Sequence, residues 1–265
     1  MSVQQEKFKA IADKIREKTG TEDLIKPNDF VNKIDDVYEA GKQAEHKRFM
    51  DIYQDNGNRK TYNSAFSYWD ERLFYPEHDI KPSTASSIFQ GFNSLNSEGT
   101  VISLIERLGQ CGKTLDFSNT TGTLSYIFNS AKISHIPLCD FKKATNLNGT
   151  FSRSSVEYIE KIMVDDGNTY SNTFDYCENL TEVRFEGVIA SSISFGWSPL
   201  NKKSITNIYS CLSTSKTGQT LTLNKAAVNT AFGINVDDDT TFPEGSEYYI
   251  LRHSRDNWDV GYAEN

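Results

Sequence analysis

Few of the chain's chemistry-capable residues stand at a spacing that chemistry needs. Gly112-Lys113-Thr114 ends like a phosphate-binding loop, but that motif needs a glycine five residues before Gly112, where Arg107 stands. It also needs a strand before it and a helix after it. Here ISLIERL reads as helix and LDF as strand, so the segment reads as a repeat turn. His46, His78, His135 and His253 include no pair at H-x-x-x-H spacing. Cys111, Cys139, Cys177 and Cys211 lie 28, 38 and 34 residues apart, without the close pair that zinc sites bring. They read as reduced, buried, small apolar residues. Asp165-Asp166-Gly167-Asn168 and Asp237-Asp238-Asp239 carry the oxygen ligands calcium takes, yet neither has EF-hand spacing. Both read as acidic turns. No metal and no cofactor is expected.

Two carboxylates at a suitable separation can cleave a glycosidic bond. Asp116, Asp140, Glu182 and Glu186 are the residues that could supply them, although solvated charges beside a packed sheet are the plainer reading. No G-x-S-x-G motif occurs, since Gly196-Trp197-Ser198-Pro199-Leu200 lacks the second glycine. The expectation is a protein that is not an enzyme. Asn119, Asn148 and Asn179 each fall in N-x-[ST], which a chain rich in Asn, Ser and Thr contains by chance.

Composition narrows the partners. The 265 residues carry a net charge of −8 and no Lys/Arg block, so neither nucleic acid nor an anionic membrane is an expected partner. Sixteen Phe and 13 Tyr argue for a packed core rather than disorder. No apolar run of spanning length occurs. The N-terminus shows no basic region followed by an apolar one, so no secretory signal is read there.

Residues 1–56 are charged and helical in pattern. Phe8, Ile11, Ala12 and Ile15 share one helix face, and Gly20 just beyond Lys18 reads as a stop. Phe30, Ile34, Val37, Gly41 and Ala44 then form a short heptad-like seam. It reads either as an attachment or oligomerisation helix, permitting a dimer or trimer, or as a helix folded back on the next domain. Asn56-Gly57-Asn58 ends this segment.

Beyond it the pattern changes to repeats, which decide the fold. Phe128, Phe151, Phe174 and Trp197 are each 23 residues apart. Short apolar alternations follow the first three, at Ile136-Pro137-Leu138, Ile162-Met163-Val164 and Val183-Arg184-Phe185. Leu115-Asp116-Phe117 is an earlier copy. Period-2 triplets at intervals of about 20–26 residues mark a solenoid. Each repeat gives one short strand to a parallel sheet, and each Phe stacks on the next. With Val183 and Phe185 inward, Glu182, Arg184 and Glu186 point out.

The run Phe174, Cys177, Leu180, Val183, Phe185 resembles the BspA-type leucine-rich repeat. Pro76 to Phe89 and Leu108 to Asn119 resemble the entry segment of such proteins in gut Firmicutes and their prophages. Phe195 to Leu212 resembles the closing segment, where a strand gives way to a short helix, and Asn257 to Tyr262 resembles a terminal edge strand. Ile11 to Val37 resembles a module of phage tail and minor structural proteins. The expected fold is an α/β solenoid, an irregular leucine-rich-repeat-like parallel sheet with a helical N-terminal segment. Its parts are 1–56 helical, 57–235 solenoid and 236–265 cap.

The expected function is binding. Outward strand residues Asp116, His135, Lys161, Glu182 and Arg184 are the candidate contacts for a host-surface protein or glycan. The resemblance implies a phage or prophage tail component, held to other tail proteins by its N-terminal helices and located in the virion. A BspA-like adhesin at the cell surface is the alternative. Trp69, Phe74, Tyr75, Tyr248 and Tyr249 could anchor a ligand, but sealing the solenoid ends is the favoured role.

Overall fold

The computed structural model describes residues 79–82, 85–92, 114–238 and 242–264, with Asp13, Leu108 and Gly112 as single positions. The chain divides into two units, Met1–Asn56 and Gly57–Asn265, and almost all described residues belong to the second. The expected N-terminal helices with their seam lie outside the described residues. So do the Lys113 of the rejected phosphate loop, Cys111, Trp69, Phe74 and Tyr75.

The fold is a parallel β-solenoid of about four turns with few helices. Strands β1 (Gly122–Thr123) and β4 (Ala144–Asn146) pair with each other. The main sheet is built on β5 (Tyr158–Val164), flanked by β6 (Glu182–Gly187) on one side. On the other side lie β2 (His135–Ile136) and β3 (Cys139–Asp140). All these pairings are parallel. Ile136-Pro137-Leu138, read as one alternation, is split: Pro137 has no N–H for the ladder, and the chain resumes pairing at Cys139.

Registered side chains form continuous rows through the sheet. Ile136, Ile159 and Val183 align, as do Cys139, Ile162 and Phe185, and all six are at most 2% exposed. On the other face His135, Tyr158 and Glu182 align, and so do Asp140, Met163 and Glu186. The alternation read at Val183-Arg184-Phe185 is the one observed, with Arg184 exposed between two buried neighbours.

Opposite ends of each coil are joined by turns, and the turns stack as regularly as the strands. Phe89, Phe128, Phe151 and Phe174 are buried and stacked at 5.4, 5.6 and 5.3 Å between ring centroids. Phe174 also meets Phe185 edge-on at 6.2 Å, so the turns and the sheet share one core. The next ring in the stack is Phe195, at 4.6 Å from Phe174. This corrects the 23-residue series, which ends on Trp197. The last step of the stack is two residues shorter, and Trp197 lies outside, against Tyr176 at 4.3 Å.

Backbone hydrogen bonds bind turn to turn. The N–H groups of Tyr126, Phe128 and Ser130 donate to the carbonyls of Asn148, Thr150 and Ser152 at 2.7–3.0 Å. Those of Gly149, Phe151 and Arg153 donate to Ser171, Thr173 and Asp175 at 2.8–3.0 Å. The turns therefore satisfy their buried polar backbone as a parallel sheet would. Thr150 and Thr173, both buried just before their Phe, place hydroxyls 2.9 Å from the carbonyls of Leu124 and Leu147 respectively. The acidic run at Asp165 is a turn. Its Asn168 is fully buried, donates to the carbonyls of Phe141 and Ala144, and accepts from the Asp165 N–H.

A helix closes the main sheet. Helix α1 (Lys202–Cys211) starts on Asn201, whose side chain accepts from the Ser204 N–H at 2.9 Å, a standard N-cap. Along β6, the Val183 N–H donates to Ser204 Oγ at 3.0 Å and the Phe185 N–H to Asn207 Oδ1 at 2.6 Å. Asn207 Nδ2 donates back to the Phe185 carbonyl at 3.1 Å. Side chains of α1 thus stand in for the next strand and seal an edge that would otherwise pair with another chain.

A third parallel sheet follows, β7 (Ile193–Phe195), β8 (Gln219–Asn224) and β9 (Trp258–Ala263). It is accompanied by α2 (Lys225–Phe232) and α3 (Glu247–His253). Tyr248 of α3 is 1% exposed and packs on Phe232 and Phe242 at 4.9 and 5.8 Å. It belongs to this core, not to a ligand surface. Tyr249 stacks on His253 at 4.0 Å. Trp258 Nε1 donates to the Ser213 carbonyl at 2.9 Å and holds the last strand down. No described helix is long and apolar enough to cross a membrane.

Candidate functional site

Of the five residues expected to contact a ligand, His135, Lys161, Glu182 and Arg184 lie on strands of the main sheet, and Asp116 lies in an earlier segment. Glu182 accepts from Lys203 Nζ at 2.9 Å and from Asn201 Nδ2 at 3.4 Å. Lys161 pairs with Glu186 at 2.8 Å. His135 tilts against Tyr158 at 4.4 Å, and its Nε2 is buried with no hydrogen-bond partner. Asp116 accepts from the Ser118 N–H at 2.9 Å and sits in the earlier segment where Leu115 bridges Ile80. Only Arg184 of the five presents an exposed charge that no described hydrogen bond or ion pair uses.

The sheet-face carboxylates are similarly engaged. Lys142 lies 3.6 Å from Asp140. The hydrogen bond from Lys161 holds the Glu186 carboxyl below the usual range, the opposite of what a general acid needs. Burial raises the thiols of Cys139, Cys177 and Cys211, Cys177 to about 12. All three are thereby held away from the thiolate a nucleophile requires. Among the described residues no group of three or more His, Cys, Asp or Glu could hold a metal ion.

The stacked turns build a different surface, one that apolar periodicity does not reveal. Two residues on either side of each Phe take positive φ. Before it stand Ser87, Tyr126, Gly149 and Asn172, and after it Gly91, Ser130, Arg153 and Tyr176, with φ between 52° and 62°. The second set is the third position of a four-residue turn closed onto the Phe carbonyl. Positive φ there favours Gly or Asn. An L side chain in this region costs roughly 1–2 kcal/mol relative to Gly. Gly91, Gly149 and Asn172 fit that preference. Tyr126, Arg153 and Tyr176 are the bulkiest departures from it, and all three side chains point away from the core.

These departures line one groove of about 320 Å³, together with Ser130, Asn172 and Asp175. Tyr126 and Tyr176 are 41% and 43% exposed, unusual for large aromatics beside a packed core. Tyr126 lies against Gly149, and its hydroxyl meets Asn148 Nδ2 at 3.4 Å. Tyr176 is held between Trp197, stacked at 4.3 Å, and the Arg153 guanidinium, 5.0 Å from its ring centroid. Among the described residues no hydrogen bond or ion pair engages the side chains of Arg153, Asn172 or Asp175. The groove therefore offers the exposed ring of Tyr126, the rim of a Tyr176 ring whose faces Trp197 and Arg153 cover, and the planar polar groups of Asn172 and Asp175. The signal for it in the sequence is the bulky residue two positions from a repeat Phe.

A second depression of about 400 Å³ is lined by Asp165, Asp166, Lys216 and Arg255 among others. Its guanidinium is committed to the backbone, donating to the carbonyls of Leu212 and Ser210 at 3.0 and 3.2 Å.

Comparison with family models, with curated proteins and with solved structures finds no match for this chain.

Proposed function

We propose that this chain is a non-catalytic binding and structural protein, a phage or prophage tail-associated component that presents its solenoid to a host-surface protein or glycan. The observation that carries the binding half is the row of Tyr126, Arg153 and Tyr176. All three sit at positive φ and open onto one groove. Backbone strain maintained beside an exposed aromatic surface favours a functional reason for the side chains. Tyr, Trp and Arg are also the residues enriched where binding energy concentrates.

The finer fold reading is an irregular BspA-type leucine-rich repeat. Its support is the 23-residue spacing of Phe128, Phe151 and Phe174, within the 20–29 residues of such repeats. Attachment to other tail proteins through the N-terminal helices, with virion localisation, rests on the resemblance of Ile11 to Val37.

The test is to induce the source strain, purify phage-like particles and analyse them by mass spectrometry, with labelled antibody to locate the chain. Detection at the tail supports the proposal. A chain absent from particles but present on the cell envelope moves the reading to a BspA-like surface adhesin, and absence from both removes it.

A further inference from the structure

We infer that the last strand, β9, is a self-association surface, along whose free edge two copies of this chain pair antiparallel about a twofold axis at Gly261 and join their solenoids end to end.

The core is unfinished at this strand. The inward rows of the third sheet run Ile193, Leu221, Val260 and Phe195, Leu223, Tyr262. On β7 and β8 these side chains are at most 3% exposed, whereas Val260 and Tyr262 are only half-buried. Each has a neighbour from β8 on one side and no strand on the other. Ile250, on the helix just before β9, is 60% exposed, the most exposed large apolar side chain among the described residues. A solenoid end of this kind needs a cap.

The backbone is open as well. β9 pairs with β8 along all six residues without a register shift, which leaves about 20 Å of regular edge. Among the described residues no hydrogen bond engages its far side. Edges that must stay unpaired are blunted by Pro, Lys, a bulge or a covering helix. The sequence WDVGYA has neither Pro nor Lys, and its ladder has no bulge. The edge of β6 is treated in the opposite way, filled by the side chains of Ser204 and Asn207.

A free edge recognises an extended backbone, with alternate side chains setting the choice of partner. A second β9 meets that choice. Residues directly opposite each other in an antiparallel pair lie on one face, so a twofold axis at Gly261 sets Val260 against Tyr262 of the other copy, twice. Both unfinished rows are thereby continued across the axis. Asp259 then faces Ala263 and Glu264 faces Trp258, so no two carboxylates meet. An axis one residue earlier, at Val260, would set Asp256 against Glu264. The Gly261 register is thus the one that charge allows, and its contact is isologous, as in most dimers. An edge of this length makes a small interface, so monomer and dimer should exchange at micromolar concentration.

Gly261 supplies the test. A Cβ added there would meet nothing nearer than Thr222 Oγ1 at 3.9 Å, so a side chain fits the single chain. In the dimer the two Gly261 positions face each other, where like charges repel and opposite charges attract. Sedimentation velocity is run on the full chain from about 1 to 200 μM for the wild type, Gly261→Lys, Gly261→Glu, an equal mixture of the two variants, and the main-sheet control Arg184→Ala. The wild type and Arg184→Ala should dimerise alike. Each Gly261 variant alone should dimerise at least roughly threefold more weakly, and the mixture should recover. Hydrogen exchange on the wild type should show alternate β9 amides gaining protection as concentration rises, a readout that stands even if a variant folds poorly. A wild type that stays monomeric throughout overturns the inference, whether its β9 amides are exposed or already covered by another segment of the chain. Dimerisation that neither Gly261 variant weakens, or that leaves β9 exchange unchanged, overturns it too.

Discussion

The ring of Tyr126 lies so close over Gly149 that a Cβ at position 149 would sit 2.5 Å from Cε1 of the tyrosine. The two residues occupy the same place in consecutive coils, two before Phe128 and two before Phe151, and both have positive φ. One turn thus displays an aromatic that the next makes room for.

Gly149→Ala should therefore be costly twice over, through strain at positive φ and through displacement of Tyr126. A loss of roughly 1–3 kcal/mol is expected in denaturant unfolding. The same change should weaken ligand binding without removing any groove side chain.

Ser130 tests the strain separately. It is exposed, has φ 56°, and its hydroxyl makes one exposed hydrogen bond to Asn129 at 3.2 Å. Relief of left-handed strain should outweigh the added freedom of the unfolded chain, so Ser130→Gly should raise stability by about 0.5–1 kcal/mol. A destabilised variant would show that these turns carry no strain.

The aromatic stack predicts an order of effects. Phe151→Ala and Phe195→Ala each remove a buried ring and should cost about 3–5 kcal/mol. Trp197→Ala, outside the core, should cost about 0.5–1.5 kcal/mol through its lost stacking on Tyr176. The reverse order for Phe195 and Trp197 would restore the uniform 23-residue series.

The seal on β6 is similarly testable. Asn207→Ala leaves the Phe185 N–H without the side-chain acceptor it now has and should cost about 1–3 kcal/mol. Pairing of the freed edge with a second molecule should appear as concentration-dependent association.

His135 gives a pH dependence. Burial lowers its pKa, and Glu160 only partly opposes this. The unfolded chain therefore takes up a proton at a higher pH than the folded one. The stability that neutral His135 allows is complete above its ordinary pKa and is lost as pH falls from there through the folded value. Unfolding measured across mildly acidic pH should show a shallower decline for His135→Gln than for the wild type.

The solenoid is legible in the sequence because its rows are one-dimensional. Phe128, Phe151 and Phe174 recur at a fixed interval, and Val183-Arg184-Phe185 alternates cleanly, so spacing alone places them inside and out. Trp197 misleads because an aromatic at the right interval need not be the one that stacks, and Phe195 two residues earlier fills the place. The groove is harder to see. Its residues are set apart by backbone conformation, and a tyrosine at Tyr126 or Tyr176 carries no mark of positive φ when read as one more aromatic. The expected contacts on the sheet are placed outward on the correct alternation. Yet Lys161 and Glu182 are engaged by Glu186 and Lys203, charges from other parts of the chain that no local pattern brings together.

If the stacked turns rather than the strand face are the working surface, the affinity of the full chain for purified host-cell envelopes should depend on the turns. The wild type is compared with Tyr126→Asn/Tyr176→Asn and with Glu182→Gln/Arg184→Ala. The tyrosine pair should lose affinity at least roughly tenfold while the strand-face pair binds as the wild type does. Retained affinity in the tyrosine pair, with loss in the strand-face pair, would refute this and return the ligand to the sheet.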